Sequence, residues 1–286
     1  MEVRKEVSLS SMTTFRVGGV ARRLWVPRGP SETSALLSSG RLNELRIIGG
    51  GSNLLINDKM EFEDVVSAKK VDTRFESIGD GVFYIGASIP IRTVIRKVNE
   101  CGYGGFEELF CLPAQFGGCV SMNAGIGGRG RQLFSISDFV LSVRVCRFGD
   151  GRIEDVPARE CGFGYRQSVF QQGGCVILGA VLRCTPQAKF VSEARIEKRR
   201  AWVKENQEWG QGCFGSCFSK YSPRILSLCR AVVPKKSTVR VSKTNANWLI
   251  NGGSGTFQDA KRIIDRCVIA HRVARKPVEL EVRVWG

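Results

Sequence analysis

The sequence predicts an α+β fold with a larger N-terminal domain and a smaller C-terminal one. Three observations predict it. The chain has 286 residues, enough for two cores of ordinary size. Short apolar runs that suit strands alternate with segments that suit helices. Two glycine-rich stretches interrupt this alternation in the first half of the chain.

The first glycine-rich stretch is the segment around which the N-terminal half is organised. Leu45–Ile48 and Leu54–Ile56 are apolar runs, and Gly49–Asn53 between them contains three glycines, a serine and an asparagine. This pattern predicts a strand, a tight loop and a strand. Glycine backbone approaches a ligand closely, and consecutive N–H groups form a nest for a phosphate or pyrophosphate. The known nucleotide loops do not match, since no Gly-Lys-Ser/Thr follows and no G-x-G-x-x-G opens a helix.

The elements before and after this loop indicate a mixed unit. Arg23–Pro27 is predicted as a strand ended by proline, and Ser31–Leu37 as a short helix with Ser31 at its N-cap. Val82–Gly86 is a further strand, and Ile91–Cys101 is a helix stopped by Gly102. The succession is typical of an α+β unit.

The second glycine-rich stretch covers residues 113–128. Two such stretches in one unit favour backbone that lines both sides of a long, nucleotide-type ligand. Downstream, 139–148 and 152–156 form a hairpin through Gly149–Gly151, and Gly174–Cys184 is a buried strand. Tyr165 to Ser168 lie between these elements.

The C-terminal part begins with a charge-dense helix over Ser192–Asn206. Further on, Thr256 and Asp259 form a capping box that starts a helix reaching about Arg272. In the last predicted strand, Val278–Trp285, apolar and charged residues alternate. Val278, Leu280, Val282 and Val284 share one face, while Glu279, Glu281 and Arg283 share the other, which is expected to face solvent.

Composition excludes several classes of function. Apolar residues make up 43% of the chain, yet neither a signal-peptide core nor eighteen consecutive apolar residues occurs, so we predict neither secretion nor a membrane span. Eleven scattered cysteines, with no C-x-x-C pair, indicate reduced thiols. His271 is the only histidine, which argues against a zinc site and removes most histidine acid–base chemistry.

The net charge of +16 favours anionic partners, either nucleic acid or phosphorylated small molecules. The basic runs Lys198–Arg200 and Lys235–Lys236 are short and lack interleaved stacking aromatics, so we predict that they are solvated.

Taken together and in order, the motifs resemble the UDP-N-acetylenolpyruvoylglucosamine reductases, flavoenzymes that make UDP-N-acetylmuramate for peptidoglycan. The resemblance spans nearly the whole chain. No single motif is decisive, but the ordered set is highly specific. The matching stretches are Thr13–Gly19, Gly49–Leu55, Gly105–Leu109 leading to Pro113 and Gly117–Gly118, Asn123–Gly125, Tyr165–Ser168, Gly215–Phe218 and Leu280–Arg283. The short linker from Cys184 to Ser192 matches the shorter, second type of the family.

The resemblance implies a two-subdomain, PCMH-type FAD-binding domain over residues 1–188, split near residue 68, and an α+β substrate domain over 189–286. It also implies noncovalent FAD, with NADPH and a UDP-sugar as substrates, in a cytoplasmic monomer with no nucleic-acid partner. The implied cofactor-binding residues are Gly49, Gly50, Gly51, Ser52, Asn53, Leu54, Pro113, Gly117, Gly118, Asn123, Ala124 and Gly125.

The resemblance further implies that hydride passes from the flavin to C3 of an enolpyruvyl group. Arg166 matches the arginine that polarises the substrate carboxylate, and a guanidinium fork suits that task. Glu281 matches a glutamate that, when protonated, donates to the developing enol, which requires a raised pKa. Ser216 matches the proton donor to C2.

Two positions are assigned to the substrate by the same resemblance. Tyr165 is a supporting residue beside Arg166. The family's phosphate-binding lysine follows Gly-Ser-x-Phe, but this chain has Ser219 there and Lys220 one place on. Lys220 is therefore the candidate for that contact.

Two alternatives remain open on sequence grounds. One is another flavoprotein of the same fold, such as an alcohol oxidase, many of which tether FAD through a histidine near the first glycine loop. His271 lies far from that loop along the chain. The other is a basic nucleic-acid-binding protein without catalysis, which the dispersed basic residues disfavour.

Overall fold

The structure is a computed structural model that describes residues 1–128, 131–208, 210–232 and 238–286, so the Lys235–Lys236 pair lies outside the described residues. The first unit contains the strands β1 (Glu2–Ser8), β2 (Val20–Val26), β3 (Arg46–Ile48), β4 (Leu54–Ile56) and β5 (Glu61–Ser67). Four of them form a sheet in the order β1-β2-β5-β3. Strand β1 is antiparallel to β2, and the other two pairings are parallel. The Gly49–Asn53 loop leaves this sheet at the end of β3.

The second unit follows a 3-10 turn at Ala68–Lys70. Its strands are β6 (Phe75–Gly79), β7 (Val82–Gly86), β8 (Tyr103–Gly104), β9 (Gly125–Gly128), β10 (Arg131–Ser135), β11 (Val140–Arg147), β12 (Ile153–Pro157), β13 (Cys175–Arg183) and β14 (Thr185–Pro186). A five-stranded antiparallel sheet has the order β12-β11-β13-β7-β6, and β9 pairs with β10. The predicted hairpin over 139–156 and the buried strand after Gly174 are confirmed as β11, β12 and β13.

Within the described residues, the C-terminal part consists of short strands and three helices. The strands are β15 (Phe218–Lys220), β16 (Val239–Val241), β17 (Leu249–Asn251), β18 (Glu279–Leu280) and β19 (Arg283–Trp285). Strand β19 returns to the first unit and runs parallel to β4. The core of this part takes in Phe15 and Leu55, and the Phe15 and Phe214 ring centroids are 4.7 Å apart. The C-terminal part is thus packed directly beside the first glycine loop.

The helices are α1 (Pro30–Leu37), α2 (Ile91–Glu100), α3 (Phe116–Ser121), α4 (Lys189–Asn206), α5 (Pro223–Val232) and α6 (Phe257–Val273). None of those in the described ranges is long and apolar enough to cross a membrane. The predicted stop of α2 at Gly102 is confirmed, since that glycine has φ +83°. The capping box of Thr256 and Asp259 is confirmed at the start of α6. All eleven cysteines are free.

Two local predictions are wrong. Helix α1 begins at Pro30 with Gly29 as N-cap, because proline at the first helical position fixes φ for entry, and Ser31 lies inside the helix. The last segment is not one alternating strand, since β18 pairs with β15 and β19 pairs with β4. The switch of partner at Glu281 breaks the alternation, so that Leu280 and Val284 are exposed while Glu281 is turned inward.

Helix α4 is fixed to the second unit by a buried carboxylate. Glu107 is fully buried and accepts from the Gly105 N–H at 3.1 Å, from Gln187 Nε2 at 2.7 Å and from the Ser192 hydroxyl at 3.1 Å. Arg195 Nη1 lies 3.3 Å from Glu107 Oε2. Ile196 of the same helix belongs to the core of the second unit. The position of α4, which leads into the C-terminal part, is therefore fixed relative to the second unit.

We expect Glu107→Ala to lower the free energy of unfolding by about 3–5 kcal/mol, because it leaves Arg195 and several donors without their buried partner. Glu108→Ala removes a carboxylate that also binds Arg195, at 2.7 Å, but is one-third exposed, and should cost under about 1 kcal/mol. Urea unfolding of both variants measures the difference. Equal losses would contradict the anchoring role of Glu107.

Candidate active site

The Gly49–Asn53 loop has the conformation of a ligand cradle. Gly51 has φ +63°, and a Cβ there would lie 2.1 Å from the Met12 carbonyl oxygen. Met12 and Thr13 pack against Gly51, and the N–H of the next residue, Thr14, donates to the Gly51 carbonyl at 3.1 Å. The N–H groups of Gly50 to Asn53 donate to no other group within the described ranges. Unpaired N–H groups in one loop suit a phosphate, as the sequence predicted.

The second glycine-rich stretch faces the first across a narrow gap. A Cβ on Gly50 would lie 3.4 Å from the Pro113 carbonyl oxygen and 3.5 Å from the Gln115 nitrogen. The Phe116 N–H donates to Ile89 and the Gly117 N–H to Ala87, which ties α3 to the second sheet. The two loops are therefore close enough to hold parts of one dinucleotide.

Both loops line a single cleft of about 1540 Å³ between the three parts of the molecule. One arm of the cleft is apolar and includes Ile47 and Val176. Most of the predicted site residues line it: Gly49, Gly50, Gly51, Ser52, Asn53, Leu54, Pro113, Gly117, Gly118, Ala124, Gly125, Arg166, Ser216 and Glu281. Asn123, Tyr165 and Lys220 do not.

These three residues have other surroundings. Asn123 is buried with φ +42°, and its side chain donates to the Gly164 carbonyl and accepts from the Ser137 N–H, so it braces the loop behind the cleft. Tyr165 lies under Arg166, whose guanidinium carbon is 5.1 Å from the ring centroid. Lys220 pairs with Glu279 at 2.6 Å on the exposed side of β15 and β18.

Arg166 and Glu281 contact each other in the lining of the cleft. Arg166 Nε lies 3.3 Å from Glu281 Oε1, and both side chains are 15% exposed. Arg166 has φ +57°, and its Nη2 donates to the Gly125 carbonyl at 2.7 Å. A non-glycine residue in the left-handed region is held there by its surroundings, and such residues cluster at functional sites. The guanidinium is thereby oriented before any ligand enters.

Burial raises the pKa of the Glu281 carboxyl above its ordinary value, although Arg166 opposes the shift. The backbone of Glu281 is held on both sides. Its N–H donates to the Cys217 carbonyl at 2.8 Å, and its carbonyl accepts from Asn53 Nδ2 at 3.0 Å. Asn53 thus links the first glycine loop to the glutamate, a contact that the sequence did not predict.

Ser216 lies on the loop between α4 and β15. Gly215 before it has φ +79°, and Ser216 itself forms an isolated antiparallel bridge with Trp248. Its hydroxyl has no hydrogen-bond partner among the described residues, although the side chain is half-buried. A half-buried hydroxyl that lines the cleft and lacks a partner is available to a ligand.

Helix α4 supplies one wall of the cleft, which the sequence patterns did not predict. Lys198 and Arg199 line the cleft together with Trp202. Lys198 is exposed, as predicted, whereas Arg199 was predicted to be solvated and is only partly exposed. The prediction holds for Arg200, which is exposed and pairs with Glu197 at 2.7 Å. Helical spacing of three and four residues places 195, 198, 199 and 202 on one face, and this periodicity was the available signal.

Comparisons with known proteins agree with this geometry. No protein-family model matches the chain. It matches UDP-N-acetylenolpyruvylglucosamine reductase from Thermus caldophilus over the full length of both chains, with a TM-score of 0.79 and 26% identity. It also overlays 65% of its length on 38% of a cholesterol oxidase from Brevibacterium sterolicum, with a TM-score of 0.50 and 11% identity, a likeness of fold alone.

The fold and the paired glycine loops define a flavoprotein-type α+β protein of the PCMH class, as predicted. A UDP-N-acetylenolpyruvoylglucosamine reductase from Moorella thermoacetica is 31% identical over all of this chain and 94% of its own length. The chain therefore belongs to the UDP-N-acetylenolpyruvoylglucosamine reductase family of oxidoreductases.

Proposed function

We propose that this chain binds FAD noncovalently and uses NADPH to reduce enolpyruvyl-UDP-N-acetylglucosamine to UDP-N-acetylmuramate in the cytoplasm. The single observation that carries the proposal is the convergence of two glycine loops, Arg166, Glu281 and Ser216 on one cleft. The names of the relatives support the substrate. His271 supports noncovalent binding of FAD, since its side chain is fully buried and its ring nitrogens are hydrogen-bonded to the backbone of Ser222 and Cys267.

FAD, when bound, would accept hydride from NADPH and deliver it to C3 of the enolpyruvyl group. The N–H groups of Gly50 to Asn53 would hold its pyrophosphate, and the Pro113–Gly118 segment would cover the other side. The apolar arm at Ile47 and Val176 suits an aromatic ring. We propose the division of the chain at residue 188 on the same basis, with Ser216 and Glu281 supplied by the C-terminal part.

Three side chains would perform the proton chemistry. Arg166 binds the substrate carboxylate, which competes with Glu281 for the same guanidinium fork. Glu281 then loses its ion-pair partner, and burial favours its protonated form, so that its O–H can donate a hydrogen bond to the enolate oxygen while keeping its proton. Ser216, in the C-terminal part of the chain, would transfer its hydroxyl proton to C2, and the resulting alkoxide would regain a proton from solvent water.

A visible spectrum of the purified protein tests the proposal. We expect flavin absorption that is lost on anaerobic NADPH addition and returns with the enolpyruvyl sugar nucleotide. Flavin should be released on denaturation. A colourless protein that does not bind added FAD would contradict the proposal, and flavin retained after denaturation would favour a covalent oxidase.

The raised pKa of Glu281 predicts the pH dependence of reoxidation. The carboxyl is an acid below its pKa and a carboxylate above it, so the rate of flavin reoxidation should fall as pH rises through that pKa. Glu281→Gln stays uncharged and retains donors, and this limb of the profile should disappear. Stopped-flow absorbance over a pH series measures both.

Glu279→Gln is the matched control, because Glu279 lies two residues away, is exposed and pairs with Lys220. It should keep the wild-type profile. An unchanged alkaline limb in Glu281→Gln would remove Glu281 from the proton chemistry.

A further inference from the structure

The α4 wall of the cleft carries groups that the proposed reaction does not use. Lys198, Arg199 and Trp202 line this wall, and Cys111 and Leu112 line the cleft beside it. Within the described ranges neither Lys198 nor Arg199 forms an ion pair. Trp202 is nearly half exposed, although a large indole on a helix face would ordinarily be covered.

Arg199 is the most unusual of these residues. Its Nε is buried and has no hydrogen-bond partner among the described residues, and its guanidinium carbon lies 4.7 Å from the Trp202 ring centroid. Glu108, whose charge acts on Arg199, is already bound by Arg195 at 2.7 Å. Burial lowers the pKa of Arg199, so its cation is incompletely solvated and incompletely paired. Buried charges in folded proteins are ordinarily paired.

An anion that pairs with the Arg199 guanidinium would reach it through the cleft. A planar guanidinium beside an exposed indole suits a nucleotide, because the guanidinium binds phosphate and the indole stacks on a base. FAD is accounted for by the glycine loops and the apolar arm. Beyond α4 the cleft lining includes Gln207, Gln211, Cys213 and Ser216, so this wall and the proposed proton donor belong to one cleft.

We propose that Arg199, assisted by Lys198 and Trp202, binds a phosphate of the nucleotide that shares the cleft with FAD. This inference rests on the proposed function, in which that nucleotide is first NADPH and then the UDP-sugar. The shared chemistry is a nucleotide phosphate, either the 2′-phosphate of NADPH or a diphosphate.

The test measures the affinity of the FAD-loaded protein for NADP+, NAD+ and UDP, by calorimetry or by the perturbation of flavin absorbance. Arg199→Met should weaken binding of NADP+, UDP or both by about 10-fold, the loss of one charge-assisted hydrogen bond. Arg199→Lys keeps the charge and should recover part of the loss. Arg200→Met is the matched control, because Arg200 pairs with Glu197, lies over the Phe110 ring and does not line the cleft, and this variant should bind like the wild type.

The pattern of losses assigns the phosphate. A larger loss for NADP+ than for NAD+ identifies the 2′-phosphate, and equal losses that include UDP identify a diphosphate. Unchanged affinity for all three ligands in Arg199→Met, or loss of FAD instead, would overturn the inference while leaving the proposed function standing. A wild-type protein that holds no flavin would overturn the proposed function first.

Discussion

Ser216→Ala should bind FAD and be reduced by NADPH like the wild type, but its reduced flavin should reoxidise about 10²–10⁴-fold more slowly with the enolpyruvyl sugar nucleotide. The reason is that the substitution removes the only proton proposed for C2 without touching either glycine loop. Ser216 has no hydrogen bond among the described residues, so loss of its hydroxyl should hardly change stability. Anaerobic stopped-flow absorbance separates the two half-reactions.

The controls for this prediction are a serine three residues away in β15 and a second substitution at position 216 itself. Ser219→Ala removes an exposed hydroxyl that donates to the Glu279 carbonyl, and the reduced flavin of this variant should reoxidise at the wild-type rate. Ser216→Cys keeps an acidic hydrogen and should retain part of the rate. Rapid reoxidation of Ser216→Ala would exclude Ser216 as the donor, whatever becomes of the flavin assignment.

Local patterns predicted the parts of this fold that local forces determine. The hairpin through Gly149–Gly151, the stop at Gly102 and the capping box at Thr256 depend on residues within a few positions of one another. The two glycine loops were found for the same reason. Their mutual approach at Gly50 and Pro113 was inferred from the presence of two loops, and the structure brings them within van der Waals distance.

Long-range pairing decided what the sequence could not predict. Alternation placed Glu281 on a solvent face, because the sequence does not reveal that β18 pairs with β15 while β19 pairs with β4. That change of partner turns the carboxylate toward Arg166. Likewise, the basic run at 198–200 looked uniformly solvated, but anchoring of α4 by Glu107 directs Arg199 into the cleft and leaves Arg200 outside.

Gly51→Ala should lower the free energy of unfolding by about 3–5 kcal/mol and abolish FAD binding at micromolar cofactor. Two costs combine at this position. The φ of +63° disfavours any side chain by about 1–2 kcal/mol, and the new Cβ would lie 2.1 Å from the Met12 carbonyl, so backbone must move. Moving the Thr13–Phe15 segment also disturbs the Phe15 contact with Phe214. Urea unfolding and FAD titration of the apoprotein measure the two effects.

Substitutions at two other glycines separate the cost of the backbone conformation from the cost of close packing and from the loss of cofactor contact. Gly40 has φ +64° with open space around its Cβ position, so Gly40→Ala should cost only about 1–2 kcal/mol and leave FAD affinity unchanged. Gly118 in α3 also has open space but lines the cleft, and alanine there should preserve stability while weakening FAD binding. Should Gly51→Ala prove no worse than Gly40→Ala, the close packing of Met12 and Thr13 on the loop would not be what shapes the cradle. Should Gly118→Ala bind FAD normally, the cofactor would not approach α3, and the second loop would have to be reassigned.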